Sequence, residues 1–154
     1  MIFSSAMDDE RVTTLIQAFS KARRSEIDAA WTVAEPMGDD LLALLAEAFP
    51  QVSRSEGRAS ILRYVGRFSR ESEIAFRMGI TAVQDRSCAV RYDGIAILAY
   101  SLRADALPTL CSLLKHTDPR TADDARAAAD AIKSRNHHFF RDRDHSGRVR
   151  WEYA

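Results

Sequence analysis

Apolar residues recur at helical spacing along nearly the whole chain. Val12, Leu15, Ile16 and Phe19 fall on one face of a segment opened by Asp8, Asp9 and Glu10, and predict a first helix near residues 8–22 with acids where a helix N-terminus favours them. Ser25-Glu26-Ile27-Asp28 has the form of a capping box, and Ile27, Ala30, Trp31 and Ala34 share a stripe until Pro36 removes a backbone donor and stops the helix. Asp39 caps a leucine-rich helix ending at Phe49-Pro50. Ser53 with Glu56 then forms a second capping box, opening a helix with Ile61, Tyr64, Val65 and Phe68 inward. The same periodicity predicts helices near 70–84, 88–102, 105–116 and 121–135. Trp31, Ile61, Val65, Ile95, Leu98, Leu110 and Leu114 are the expected core. Strand-like alternation is confined to the last fifteen residues.

Short helices joined by short links form either an irregular bundle or a stack of hairpins, and internal repetition decides between them. Gly57-Arg58-x-x-Ile61-x-x-Tyr64-Val65-Gly66 aligns with Val90-Arg91-x-x-Gly94-x-x-Ile97-Leu98-Ala99 at an offset of 33. Ala125, Ala128, Ala131 and Ile132 continue the pattern with a one-residue slip, and Ile27, Ala30 and Trp31 give a weaker copy near the start. At 154 residues the chain suits one domain, residues 1–154, with 136–154 as a capping tail.

Asp85-x4-Val90-Arg91-x-x-Gly94-x-x-Ile97-Leu98-Ala99 resembles the second helix of a HEAT repeat. Ala106, Leu107, Pro108, Leu110, Leu113, Leu114 and the pair Asp118-Pro119 are similar to that family's first helix and turn. The resemblance is specific from about 57 to 119 and fades before 50, as repeats that cap a stack are expected to do. It implies an all-α fold, a right-handed stack of about four helical hairpins. It also implies that Arg58 and Arg91 pair with turn carboxylates between repeats, Asp85 and Asp118 being the natural partners.

Charge modifies this picture. Lys and Arg together number 22, as do Asp and Glu, so the net charge is zero, yet residues 1–50 carry nine acids against four bases and residues 54–91 carry eight arginines against four acids. The arginines Arg54, Arg58, Arg63, Arg67 and Arg70 could trace phosphates, as in HEAT-like DNA glycosylases, but zero net charge and an acidic first third count against nucleic acid. Apolar runs fall short of a spanning segment and no signal peptide opens the sequence, so cytoplasmic residence without a membrane is expected. No phosphate loop, nucleophile elbow or His-Glu dipeptide occurs, which disfavours nucleotides, small-molecule substrates and the HEAT-like metal hydroxylases; neither enzyme activity nor a cofactor is expected. Cys88 and Cys111 read as buried free thiols.

The tail is the most individual segment. Asp142-x-Asp144-x-Ser146-Gly147-x-Val149 matches the start of an EF-hand loop, but Tyr153 stands where the bidentate carboxylate belongs, so no metal is expected. A β-hairpin is the competing reading, with 139–143 and 148–153 paired across a turn at Asp144-His145-Ser146-Gly147, or else an ordered loop. The tail and the degenerate repeats together resemble immunity proteins that neutralise toxins of bacterial polymorphic systems. That resemblance implies a non-catalytic protein-binding module whose partner is another protein, such as a secreted toxin domain. The expected partner-binding residues are Asp39, Asp40, His137, His138, Arg143, Arg148 and Arg150. A scaffold or adaptor, or a nucleic-acid-binding repair protein, are the other classes.

Overall fold

The computed structural model describes residues 6–153. Helices account for almost all of its regular structure, and the described residues contain no strand. The chain divides into two compact units, Met1–Ile61 and Leu62–Ala154.

In the first unit, α1 (Ala6–Lys21) packs against α2 (Ile27–Ala34) and α3 (Leu41–Ala48). Leu15, Phe19, Ala34, Leu45 and Ala48 are fully buried between them. Phe19 meets Trp31 edge-on at 4.9 Å, while Trp31 keeps one side to solvent and donates its indole N–H to Ser60 Oγ at 2.9 Å. Trp31 is therefore half-buried, at the edge of the core and not inside it. The capping box expected at Ser25 does not form: a 3₁₀ turn at Arg24–Glu26 precedes α2, and another segment, Glu35–Asp40, leads into α3 without a side-chain cap from Asp39 or Asp40. Gly38 turns the chain there with φ +60°, a conformation that favours glycine. The helix α4 (Ser55–Val65) starts two residues after the expected Ser53, whose amide instead bonds Ser20 Oγ at 3.0 Å. Gly57 lies against the Phe19 carbonyl, where a Cβ would come within 2.1 Å of the oxygen.

In the second unit, α6 (Cys88–Ser101) is nearly all buried and packs on α5 (Glu73–Ala82) and α8 (Pro119–Lys133); α7 (Leu107–Ser112) lies on α8. Ser72, Ser87 and Asp118 cap α5, α6 and α8 with their side chains, each accepting a first-turn amide. Ile95, Leu98, Ala99, Leu110, Ala128 and Phe140 form its core. Leu114, expected inside, is 36% exposed because α7 ends at Ser112 and the following turn carries it outward. Cys88 is half-buried and Cys111 exposed, so the second thiol is not the core residue expected.

Arg58 and Arg91 repeat one interaction. Arg58 donates to the Val52 carbonyl at 2.9 Å, and Arg91, 33 positions later, donates to the Asp85 carbonyl at 3.0 Å, itself 33 positions after Val52. Both guanidiniums are buried. Arg91 also reaches the Asp118 carboxylate at 3.0 Å and Thr121 Oγ1 at 2.9 Å, whereas Asp85 serves it through the backbone oxygen, its carboxylate accepting the Ser87 amide.

The tail is an ordered loop and not a hairpin. Arg135, at φ +51°, ends α8 with the Asn136 amide bonded back to the Ala131 carbonyl, a Schellman closure. His137–Phe140 then forms a 3₁₀ turn that takes up the first two residues of the expected strand 139–143, and residues 148–153 have no strand partner among the described residues.

Candidate functional site

The tail is held down by two adjacent imidazoles. Asn136 caps the 3₁₀ turn, its side-chain oxygen accepting the His138 amide at 3.1 Å, and this turn directs His137 and His138 to a single residue, Trp151. His138 Nδ1 accepts the Trp151 amide at 2.9 Å, and His137 Nε2 lies 2.9 Å from the Trp151 carbonyl and 3.1 Å from Glu152 Oε1. Arg70 locks His137 from the other side, its guanidinium 2.6 Å from Nδ1, while also donating to the Tyr100 carbonyl at 2.9 Å and lying over the Tyr100 ring. The Tyr100 hydroxyl donates to Glu152 at 2.5 Å. Beneath these bonds the Trp151 ring is buried among Tyr100, Phe140 and Tyr153. Gly66 makes room: a Cβ there would sit 2.2 Å from the Tyr153 ring.

His137, His138 and Glu152 bring three potential ligand atoms within 4.8 Å of one another, the donor set of many zinc sites. Their hydrogen bonds argue against that use. A guanidinium and an amide N–H can only donate, so Nδ1 of each ring must accept and the neutral ring carries its proton on Nε2. Metal-ligating imidazoles show the reverse, donating from the remote nitrogen and offering the other lone pair to the metal. The trio is a clip for the tail. Burial, followed by the neighbouring His138 and Arg70, holds the His137 pKa below its ordinary value. The Tyr100 hydroxyl, ahead of His137, holds that of Glu152 down.

The loop resembling an EF-hand is also closed from within. Asp142 is buried and its carboxylate accepts the Ser146 hydroxyl at 2.7 Å, the Ser146 amide at 3.1 Å and the Gly147 amide at 2.8 Å. These bonds hold its pKa below the ordinary carboxylate value and satisfy the carboxylate within the loop itself. Arg143 pairs with Asp124 at 2.8 Å and donates to the Phe140 carbonyl, and His145 stacks on Phe139 at 3.7 Å with Nε2 2.5 Å from Asp130.

The expected partner-binding residues thus separate into two kinds. His137, His138 and Arg143 work inside the second unit, tying the tail to it. Arg148 and Arg150 are exposed, and no side-chain bond to a described residue engages either guanidinium. Asp39 and Asp40 are exposed in the first unit, where Asp40 forms an ion pair with Arg11 at 3.2 Å. Arg70, Tyr100 and Glu152 were not among the expected site residues. They come from a turn, a helix and the tail, at least thirty positions apart, and no local spacing connects them.

Four arginines of the row have partners within their own unit. Arg58 is buried on carbonyls, Arg70 is spent on His137 and Tyr100, Arg63 faces Asp93 at 3.7 Å, and Arg67 lies over Tyr64. Asp93 is the unusual member of this region. It is 9% exposed, and burial pushes its pKa up to about 6 against the pull of Arg63 and Arg141. It lines an open groove of about 750 Å³ with Arg63, Tyr92, Arg120, Asp124 and Arg141. No described helix is long and apolar enough to cross a membrane. No family model, curated protein or solved structure matches the chain.

Proposed function

We propose that the chain is a non-catalytic protein-binding module, built as a right-handed stack of about four HEAT-like hairpins, that acts as an immunity protein by binding and neutralising a cognate toxin domain. The repeated bond of Arg58 and Arg91 at an offset of 33 supports the repeat reading. The observation that carries the binding reading is the division of the charged tail. Its buried groups, Asp142 and Trp151, are fully engaged, and they hold between them an exposed stretch with Arg148 and Arg150 uncommitted. A surface ordered in advance loses little conformational freedom when a partner arrives, so more of its contact energy appears as affinity. Asp39 in the first unit offers charge of the opposite sign.

The same surface would serve an adaptor for another cellular protein, and partner identity separates the two. Affinity capture with the tagged full chain from its native cell, followed by mass spectrometry, should return one stoichiometric partner that is a toxin domain. Recovery should fall when Arg148 and Arg150 are replaced by glutamate. Capture of nucleic acid alone, or of nothing in stoichiometric amount, would overturn the reading.

A further inference from the structure

The tail segment from Arg150 to Tyr153 lies like one strand of a sheet whose neighbour is missing on one side. Burial alternates along it: Arg150 exposed, Trp151 buried, Glu152 exposed, Tyr153 half-buried, as in an extended chain lying on a core. Trp151 has both backbone groups taken, the N–H by His138 Nδ1 and the carbonyl by His137 Nε2. The two imidazoles therefore occupy the place a neighbouring strand residue would fill. In an extended chain adjacent residues direct their N–H and C=O to opposite edges. The backbone groups of Arg150 and Glu152 then point away from the histidines, and no described residue bonds them.

We propose that this edge, Arg150 to Glu152, accepts an extended acidic segment of a partner protein by main-chain pairing, the mode in which a peptide adds a strand to an exposed edge. The proposal rests on the protein-binding reading above and adds the site and chemistry of contact. The occupant is acidic because Arg148 and Arg150 flank the edge without intramolecular ion pairs, while the exposed Glu152 carboxylate is already bonded to Tyr100 and His137. Val149, 43% exposed between the two arginines, supplies an apolar contact. A second copy of the chain is the wrong occupant, since antiparallel pairing about Arg150 would set guanidinium against guanidinium, and like charges directly opposed across strands destabilise.

The test is amide exchange by NMR on the full-length protein, titrated with a blocked eight-residue peptide alternating glutamate and valine, beside a control in which lysine replaces glutamate. The glutamate peptide should slow exchange of the Arg150 and Glu152 amides by tenfold or more at saturation. The Trp151 amide, already bonded to His138, should not change, and the lysine peptide should leave all three alone. Arg148→Glu with Arg150→Glu should weaken peptide binding at least tenfold, and Arg150→Pro, which removes one donor, should abolish it while Trp151 stays buried by fluorescence. Unprotected amides at both positions, equal protection by the lysine peptide, or protection through self-association without peptide would each overturn the edge. A cellular partner that binds tightly yet leaves these two amides exchanging freely would overturn the edge and keep the protein-binding reading. Peptide protection with no stoichiometric cellular partner would do the opposite.

Discussion

Two titratable residues of the second unit pull stability in opposite directions with pH. His137 is held neutral between Arg70 and Trp151, and its folded pKa lies below the ordinary value near 6.5. The unfolded chain therefore takes the proton more readily, so the contribution of His137 is complete above about pH 6.5 and falls as pH drops from there toward the folded value. The proton would have to enter at Nδ1, against the Arg70 guanidinium. Asp93 behaves oppositely: with its folded pKa raised to about 6 from 3.8, its favourable contribution is complete at pH below 3.8 and is lost as pH rises through about 6. Asp93→Asn should accordingly raise stability at pH 7.5, by on the order of 1 kcal/mol, because it removes a buried charge whose desolvation outweighs the pull of Arg63 and Arg141. His137→Gln should flatten the acid-side loss of Trp151 burial, followed by fluorescence in a Trp31→Phe background. An unchanged pH profile in either variant would contradict the assigned role. Tyr153 stands where a calcium loop needs its bidentate carboxylate, and Asp142 is already hydrogen-bonded to Ser146 and Gly147, so millimolar calcium should leave the melting temperature where it is; specific binding to the native state would raise it by linkage.

At the scale of elements, helix periodicity was legible and caps were only partly so. The inward stripe of α6 was read correctly through Ile95 and Leu98, which are fully buried, and Leu98→Ala should cost about 2–5 kcal/mol by leaving a cavity. Leu114 occupies an apolar position in sequence but follows the early end of α7, so Leu114→Ala should change stability by no more than about 0.5 kcal/mol, the range of surface substitutions. Denaturant unfolding of the two variants measures both, and a small loss at Leu98 would mean the helix register is wrong. The capping box at Ser25 failed because a 3₁₀ turn over Arg24–Glu26 takes its place, a choice that depends on packing outside any four-residue window. The hairpin failed for a related reason. Asn136 caps a helical turn over His137–Phe140, and that local bond outcompetes strand pairing for the same residues. The clip itself could not be read, because Arg70, Tyr100 and Glu152 meet only after folding. Gly57 is a close approach that the sequence registered only as a repeat position. Gly57→Ala should destabilise by about 1–3 kcal/mol through overpacking on the Phe19 carbonyl, again read by denaturant.

For the molecule as a whole, zero net charge conceals an acidic first third and uncommitted arginines in the tail. Such segregation steers encounter with a partner of complementary charge while the protein keeps no net charge, and its effect belongs to the association rate and to low salt. A toxin that acts on nucleic acid would itself be basic, which makes Asp39 and Asp40 its natural point of approach. Asp39 is the better probe of the two, since Asp40 already shares Arg11. The most direct measurement is the association rate of the captured partner by stopped flow across ionic strength, for the wild-type chain and for Asp39→Lys with Asp40→Lys. Charge-guided recognition predicts a wild-type rate that falls steeply with salt and a variant slowed several-fold at low ionic strength, the two converging at high salt with similar dissociation rates. Equal association rates at every salt concentration would remove the acidic face from recognition and contradict the account.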